Sequence, residues 1–171
     1  MKPMFWRRLD AFARHLVPFA STLAMLIVGV VPLHIPAFQS VAPALPLIAV
    51  FYWTLYRPDL MPPVAAFVIG LLQDVLGGLP LGVSACVLVG VHAAVNTQRR
   101  FFIGKSFTVV WLGFALVAIC GLAASWIMTC AYFGAFAAPS SVVFQSLTTV
   151  GFYPILGWAL LRCQLTLLQQ A

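Results

Sequence analysis

The charged residues of this chain are few and lie in short clusters, and the long segments between the clusters are almost entirely apolar. Hydrophobic residues make up 63% of the sequence and charged residues only 7%, whereas about a quarter of a soluble domain is charged. The mean hydropathy is +1.06. A water-exposed surface cannot be built from these residues, so the sequence predicts that lipid surrounds most of the chain.

Six apolar segments can be distinguished along the chain. They lie at about 16–33, 42–56, 60–77, 82–97, 107–133 and 142–161, each bounded by polar residues or helix-breaking residues. The connections between them are too short to fold outside a membrane. The sequence therefore predicts an all-α polytopic membrane protein with six transmembrane helices, forming a single domain over residues 1–171.

The first fifteen residues are predicted to form an amphipathic helix in the membrane interface. Phe5, Leu9, Phe12 and Leu16 recur at helical spacing, and the arginines mostly take the other side. A cleaved signal peptide is the alternative, because basic residues precede an apolar stretch. No convincing cleavage region follows, so we expect the segment to be retained.

The distribution of basic residues predicts the orientation. If the N-terminus is cytoplasmic, every Lys and Arg falls on the inner side: Lys2, Arg7, Arg8, Arg14, Arg57, Arg99, Arg100, Lys105 and Arg162. The outer connections, near 34–41, 78–81 and 134–141, contain none. This asymmetry is typical of inner-membrane proteins and predicts that both termini are cytoplasmic. It also explains the formal charge of +6 as an orientation signal rather than a nucleic-acid site.

One acidic residue lies deep in the third apolar segment and is followed at once by a helix-breaking run. Asp74 is expected roughly 20 Å along that helix from the inner surface, where a lipid-facing carboxylate would cost at least a few kcal/mol. Gly77 and Gly78 end the helix, Pro80 prevents its continuation, and Gly82 allows the next helix to begin close by. The sequence predicts that amides of this turn donate hydrogen bonds to Asp74 and that the five residues form a structural or interaction site.

Small residues also recur at four-residue spacing on two predicted helices. The two stripes are Gly70, Asp74 and Gly78 on the third helix, and Gly82, Cys86 and Gly90 on the fourth. Such stripes favour close packing of helices, with ligand binding as the alternative.

The sequence offers little support for catalysis. Ser84 and His92 are eight residues apart on one helix, which separates them by about 12 Å along its axis, whereas a base must approach its nucleophile to within about 3 Å. His92 is interpreted as a helix-packing residue, with a proton relay as the alternative. The four cysteines show no metal-ligand or disulfide spacing. We therefore expect no enzymatic activity, no metal and no cofactor.

Two inner-side groups are candidate cytoplasmic contacts. The first is Arg57 with Asp59, in a proline-rich loop, and the second is Arg99 with Arg100, at the end of the fourth segment. With Lys105, the second group is predicted to anchor the topology and to contact anionic lipid.

The segment from Arg57 to Phe102 resembles the bacterial rod-shape-determining protein MreD family. The resemblance rests on an Arg-Pro-Asp loop, a helix ending in Gly-Leu-Leu-Gln-Asp-Val-Leu, the turn Gly-Leu-Pro-Leu-Gly, and the helix end Gln-Arg-Arg-Phe-Phe. It covers about a quarter of the chain in its specific motifs. Length, number of spans and the basic N-terminus extend it to the whole chain.

This resemblance implies a non-enzymatic scaffold of the cell-elongation complex in the bacterial inner membrane. Its partners would be MreC and, with it, MreB, RodA and a penicillin-binding transpeptidase, in addition to membrane lipids. The implied fold is similar to that of the substrate-binding components of energy-coupling-factor transporters. The alternative function is therefore binding of a vitamin-type small molecule, although the outer connections offer only His34, Gln39, Ser40, Ser140 and Ser141 as polar groups.

Overall fold

A computed structural model describes residues 4–30, 42–134 and 139–168, and the side chains of residues 17–30, 42–134 and 139–165. The described residues form six α-helices: α1 (Met4–Val30), α2 (Leu45–Tyr56), α3 (Pro63–Gly77), α4 (Val83–Phe102), α5 (Phe107–Phe133) and α6 (Pro139–Leu168). A 3₁₀ turn, Pro58–Leu60, connects α2 to α3, and no strand occurs in the described ranges. The all-α prediction is confirmed, and each helix overlaps one of the six apolar segments.

The helices differ from the predicted segments mainly at polar ends. α1 runs without interruption from Met4, so the predicted interfacial helix and the first span are one element. The side chains of residues 4–16 lie outside the described set. α4 continues to Phe102, five residues beyond its apolar segment. Gln98, Arg99 and Arg100 are good helix formers, so the helix outlasts the change in polarity.

Helix α2 lies at the centre of the fold. Eleven of its twelve residues are buried, and it packs against α1, α4 and α6. A helix that is apolar on every side is expected to be surrounded by other helices. Its length of about 18 Å is much less than the ~30 Å hydrocarbon core, so by length alone it is too short to cross a membrane.

Side-chain hydrogen bonds fix α2 to its neighbours at both ends. The Ala44 amide donates to Oγ1 of Thr149 in α6 at 3.0 Å, and the Tyr52 hydroxyl donates to Oε1 of Gln164, also in α6, at 3.0 Å. The Trp53 indole donates to Oγ of Ser21 in α1 at 2.9 Å. The two contacts with α6 advance in the same direction along both helices, so α2 and α6 run parallel.

An aromatic cluster joins α2 to α5 and α6. Phe51 contacts Phe114 edge-on, with ring centroids 5.0 Å apart, and contacts Tyr153 in the same way at 5.8 Å. Phe114 and Tyr153 stack at 4.3 Å. These buried rings form the part of the core that α5 and α6 share with the central helix.

The outer faces of α5 and α6 are rich in exposed apolar side chains, including Leu112, Leu116, Ile119, Phe144, Leu147 and Ile155. Phe107–Phe133 and Pro139–Leu165 are long and apolar enough to cross a membrane by length and composition. An exposed apolar surface of this extent is a membrane or protein contact surface.

Candidate functional site

Asp74 is completely buried, at 0% exposure, and both of its carboxylate oxygens accept hydrogen bonds from backbone amides. The Gly82 amide donates to Oδ2 at 2.8 Å, and the Ser84 amide donates to Oδ1 at 2.9 Å. Gly82 is the N-cap residue of α4 and Ser84 lies in its first turn. The predicted bonds between Asp74 and the turn are confirmed, and one of the two donors lies just inside the next helix.

This arrangement makes Asp74 the N-terminal cap of a helix other than its own. The first amides of a helix have no partner within it, and the helix dipole favours an anion at that end. α4 itself begins with a glycine, which has no capping side chain. The carboxyl oxygens therefore supply acceptors that α4 lacks, and the two amides satisfy a polar group that is buried among apolar residues.

The end of α3 brings Asp74 into this position. Gly78 has φ +65° and ends the helix in left-handed geometry, and the Leu79 amide donates to the Asp74 backbone carbonyl at 3.0 Å. This bond spans six residues, as in a Schellman C-terminus. Gly82 follows with φ +101°, and Pro80 is buried between the two glycines. Gly77, the last residue of α3, is exposed. The five predicted residues therefore form one continuous turn at one end of the α3–α4 pair.

The small-residue stripe of α3 allows α4 to approach closely. A side chain at Gly70 would collide with the backbone of Ala85 and Ser84. Gly70 is thus the contact point of the two helices, one turn from Asp74.

Unlike the stripe on α3, the small-residue stripe on α4 does not form the close helix contact that we predicted, among the described residues. Cys86 and Gly90 are exposed, and a side chain at Gly90 would meet no atom within 4 Å. These residues line an open groove between α4 and α5. They face away from the α3 contact because Ser84, Ala85 and Leu88 occupy the buried side of α4.

His92 is buried and hydrogen-bonded. Its Nε2 lies 2.9 Å from the Met61 carbonyl oxygen, and because a carbonyl can only accept, Nε2 carries the proton. The bond ties α4 to the loop between the 3₁₀ turn and α3. The interpretation of His92 as a helix-packing residue agrees with this contact.

The candidate cytoplasmic residues lie at the other end of the bundle from Asp74. Nε of Arg99 donates to the Leu55 carbonyl at 3.2 Å, which places the end of α4 beside the end of α2 and the loop containing Arg57 and Asp59. Arg57, Asp59 and Arg100 are exposed. Of the four predicted contact residues, Arg99 is thus engaged within the fold.

Three buried polar atoms lack a hydrogen-bond partner among the described residues: Oγ1 of Thr54, Oε1 of Gln73 and Nε1 of Trp126. No sequence pattern indicated that Thr54 or Trp126 would have an unpaired polar atom. Gln73, directly before Asp74, is a polar residue in an apolar stretch, and this position in the sequence could have indicated a buried polar side chain. Within the described residues, no group of three or more His, Cys, Asp or Glu side chains could hold a metal ion.

A comparison with protein families identifies one relationship. The model of the family described as rod shape-determining protein MreD matches residues 11–164, nearly the whole chain. Comparisons with curated proteins and with solved structures give no match. The matched range includes the Asp74 turn, the Arg57 loop and the cluster at the end of α4.

Proposed function

The chain belongs to the MreD family, whose members are membrane-associated components of rod-shape determination, and we propose that it acts as a non-enzymatic membrane scaffold of the cell-elongation complex. In this role it organises lateral peptidoglycan synthesis through MreC and, with MreC, through MreB, RodA and a penicillin-binding transpeptidase. The site of action is the bacterial inner membrane, with both termini in the cytoplasm and six helices spanning the bilayer.

The observation that carries the proposal is that both side-chain oxygens of Asp74 accept hydrogen bonds within the fold. An intramembrane acid is a candidate for proton or ligand binding, but both oxygens of this one are occupied by α4 amides. A carboxylate held in this way fixes two helices relative to each other and has little capacity for chemistry. The arrangement supports a rigid surface for recognition rather than a reaction centre.

The length of α3 supports placing the turn inside the membrane. From Pro63 to Gly77 the helix is about 22 Å long, so a turn that follows it falls short of crossing a ~30 Å core. Asp74 lies eleven residues beyond Pro63, about 17 Å along the helix, slightly less than the 20 Å expected from the sequence. At that depth the turn amides require internal acceptors, which Asp74 provides.

The partner surface proposed here is the outer side of the α3–α4 turn. Val75, Leu76 and Leu81 are exposed around the buried carboxylate, and Leu81 is 73% exposed. Single-pass partners in a bilayer associate through packing and hydrogen bonds.

Substitutions at Asp74 test the scaffold in a rod-shaped host depleted of its own MreD-family protein. Asp74→Ala leaves the buried Ser84 amide and the partly buried Gly82 amide without acceptors, at about 1–3 kcal/mol for a buried donor, and we expect wider cells and reduced recovery of MreC in detergent pull-downs. Asp74→Asn keeps one acceptor oxygen and should retain more of both. In the same assay Pro80→Ala should be milder than Gly82→Leu, because φ +101° at Gly82 strains any side chain.

Thermal unfolding of the purified variants in detergent is the control for loss of the fold. Normal rods and normal MreC recovery with Asp74→Ala would contradict the proposal. If Asp74→Asn is as damaging as Ala while remaining as stable as wild type, the charge itself is required, and proton or ligand binding replaces the structural role.

Vitamin binding for a transporter is the function to be distinguished from the scaffold. Purification of the tagged chain from its native membrane separates the two. Recovery of MreC or of the wall synthases supports the scaffold, and recovery of transporter ATPases supports substrate binding. No observation on the described residues favours vitamin binding, because the groove between α4 and α5 is lined almost entirely by apolar side chains.

A further inference from the structure

An open groove of about 770 Å³ runs between α4 and α5. Its α4 wall extends from Cys86 to Phe102 and its α5 wall from Val109 to Met128. Gln98 is the one lining residue with an amide or charged side chain, and small residues form much of the surface: Gly90, Ala94, Gly113, Gly121 and Ala124. The groove is therefore an apolar trough, in which Gly90 leaves open space on the α4 wall, whereas Gly113 lies against Phe102 and Gly121 against Val87 and Val91.

The length of the groove suits an extended hydrocarbon chain. From Cys86 to Phe102, α4 rises about 24 Å, whereas the chains of one leaflet cover about half of the ~30 Å hydrocarbon core. The groove can therefore hold such a chain along its length.

One end of the groove carries a positioned cation. Phe101 and Phe102 line that end, and the Lys105 ammonium lies 5.6 Å from the centre of the Phe101 ring. The Lys105 amide donates to the Phe102 carbonyl at 3.2 Å, so the backbone turn holds this residue against the end of α4. The opposite end, around Cys86 and Met128, is lined by uncharged residues. An apolar trough with a cation at one end is complementary to an anionic amphiphile.

The other two basic residues nearby do not share this position. Arg99 donates to the Leu55 carbonyl and so faces α2. Arg100 is two residues after the groove-lining Gln98, which places it roughly 200° around α4 on the opposite face. Lys105 is distinguished from both by its contact with a groove-lining ring.

We propose that the α4–α5 groove binds a hydrocarbon chain of an anionic phospholipid from the cytoplasmic leaflet, with the lipid phosphate at the Lys105 ammonium. The inference rests on the membrane placement and orientation in the proposed function. It adds a lipid site on the side of α4 away from α3, distinct from the surface assigned to protein partners. It also gives a role to Cys86 and Gly90, which are exposed in the part of the chain that the structure describes.

Native mass spectrometry of the full-length protein tests the site, with phosphatidylglycerol and phosphatidylcholine of identical chains as probes. Gly90→Leu fills the trough, and we expect at least a tenfold loss of retained lipid of both kinds. Gly151→Leu on α6 is the matched control, because a side chain there also meets no atom within 4 Å; it should behave as wild type. Lys105→Gln should retain the chain but lose the preference for phosphatidylglycerol, whereas Arg100→Gln should keep that preference.

Unchanged phosphatidylglycerol retention in Gly90→Leu would overturn the proposal, as would equal loss of preference in Lys105→Gln and Arg100→Gln. Loss of MreC recovery in Gly90→Leu with normal lipid retention would assign the groove to a protein helix and would also overturn it. A different result would contradict the scaffold function alone: the wild-type protein recovers no MreC, while the lipid results are as expected.

Discussion

At the scale of single residues, Asp74 and Gly70 act on the same helix pair by opposite means. Asp74 adds a group, a carboxylate that accepts from two amides of α4. Gly70 omits one, because any side chain there would occupy the space of the Ala85 backbone. The close approach permitted by Gly70 brings the start of α4 within reach of the carboxylate one helical turn later. Neither residue could produce this geometry without the other.

Gly70→Ala should therefore destabilise the protein, although alanine is the better helix former. The added methyl group meets backbone atoms, which cannot move aside as a flexible side chain can, and overpacking of this kind costs about 1–3 kcal/mol. The control is Gly151→Ala, where the site is open and helix propensity alone should stabilise by up to about 1 kcal/mol. Thermal or denaturant unfolding in detergent measures both; equal stability of the two variants would show that α3 and α4 tolerate separation.

At the scale of elements, α6 contains a proline that α5 compensates. Pro154 has no amide proton, so the Val150 carbonyl four residues earlier has no donor within the helix. The Trp111 indole of α5 donates to that carbonyl at 3.0 Å. In the hydrocarbon core of a membrane, no water is available to donate a hydrogen bond to such a carbonyl. The proline thus creates an acceptor that joins the two helices.

A double-mutant cycle isolates this bond. Trp111→Phe should cost about 1–3 kcal/mol, because it leaves the Val150 carbonyl unpaired. In a Pro154→Ala background the alanine amide can donate to Val150, so the same substitution should cost measurably less. Unfolding free energies of the four proteins give the coupling. A coupling of zero would mean that the Trp111 contribution is packing alone.

The two arginines at the end of α4 differ in whether they contact another helix. Arg99 caps the end of α2 through the Leu55 carbonyl, where a cation is favoured by the helix dipole, whereas Arg100 is exposed. Arg99→Gln should therefore lower the free energy of unfolding by about 1 kcal/mol or more, and Arg100→Gln should change it little. Both remove one inner-side charge, so each controls for the orientation effect of the other. Equal destabilisation by the two substitutions would show that Arg99 and Arg100 contribute to stability in the same way, which would contradict the prediction.

At the scale of the whole molecule, the described basic side chains near the ends of α2 and α4 lie at one end of the bundle, and the α3–α4 turn, which has no basic residue, lies at the other. The Arg99–Leu55 contact joins the ends of α4 and α2, and the Tyr52–Gln164 contact brings the last turns of α6 to the same region. Helix α2 is enclosed by its neighbours, so the exposed apolar side chains of the described residues lie mainly on the other five helices. This polarity is the one expected of a protein oriented by its inner-side charges.

Cysteine labelling tests the six-span topology with both termini inside. In a cysteine-free background, single cysteines at Ser40 and Ser140 should react with an impermeant reagent from outside, and one at Ser106 should not. Ser40 lies outside the described residues, so its prediction rests on the sequence alone. Labelling of position 106 from outside intact cells would overturn the topology, and labelling after permeabilisation verifies that the site is reactive.

The sequence alone determined the features that depend on composition and on neighbouring residues. Apolar segment length located all six helices, and the glycines and proline after Asp74 located the turn, because helix propensity and helix termination are local properties. The capping of α4 by Asp74 could also be anticipated, since a deep acid beside a broken helix needs donors and only the turn was close enough in sequence. The family resemblance rested on these same residues and is confirmed by the match over residues 11–164.

The tertiary structure decided which of several equivalent residues acts in which way. Two glycine stripes look alike in sequence, yet one packs against a helix and the other lines a groove, because the rotation of α4 is set by the long-range contact at Gly70. Three neighbouring basic residues likewise separate into a helix cap, a groove cation and an exposed charge. The link between Trp111 and Val150 joins residues 39 apart in sequence, and no local pattern specifies it. Contacts of this kind depend on how whole helices are placed, which is a property of the packed bundle and not of any segment within it.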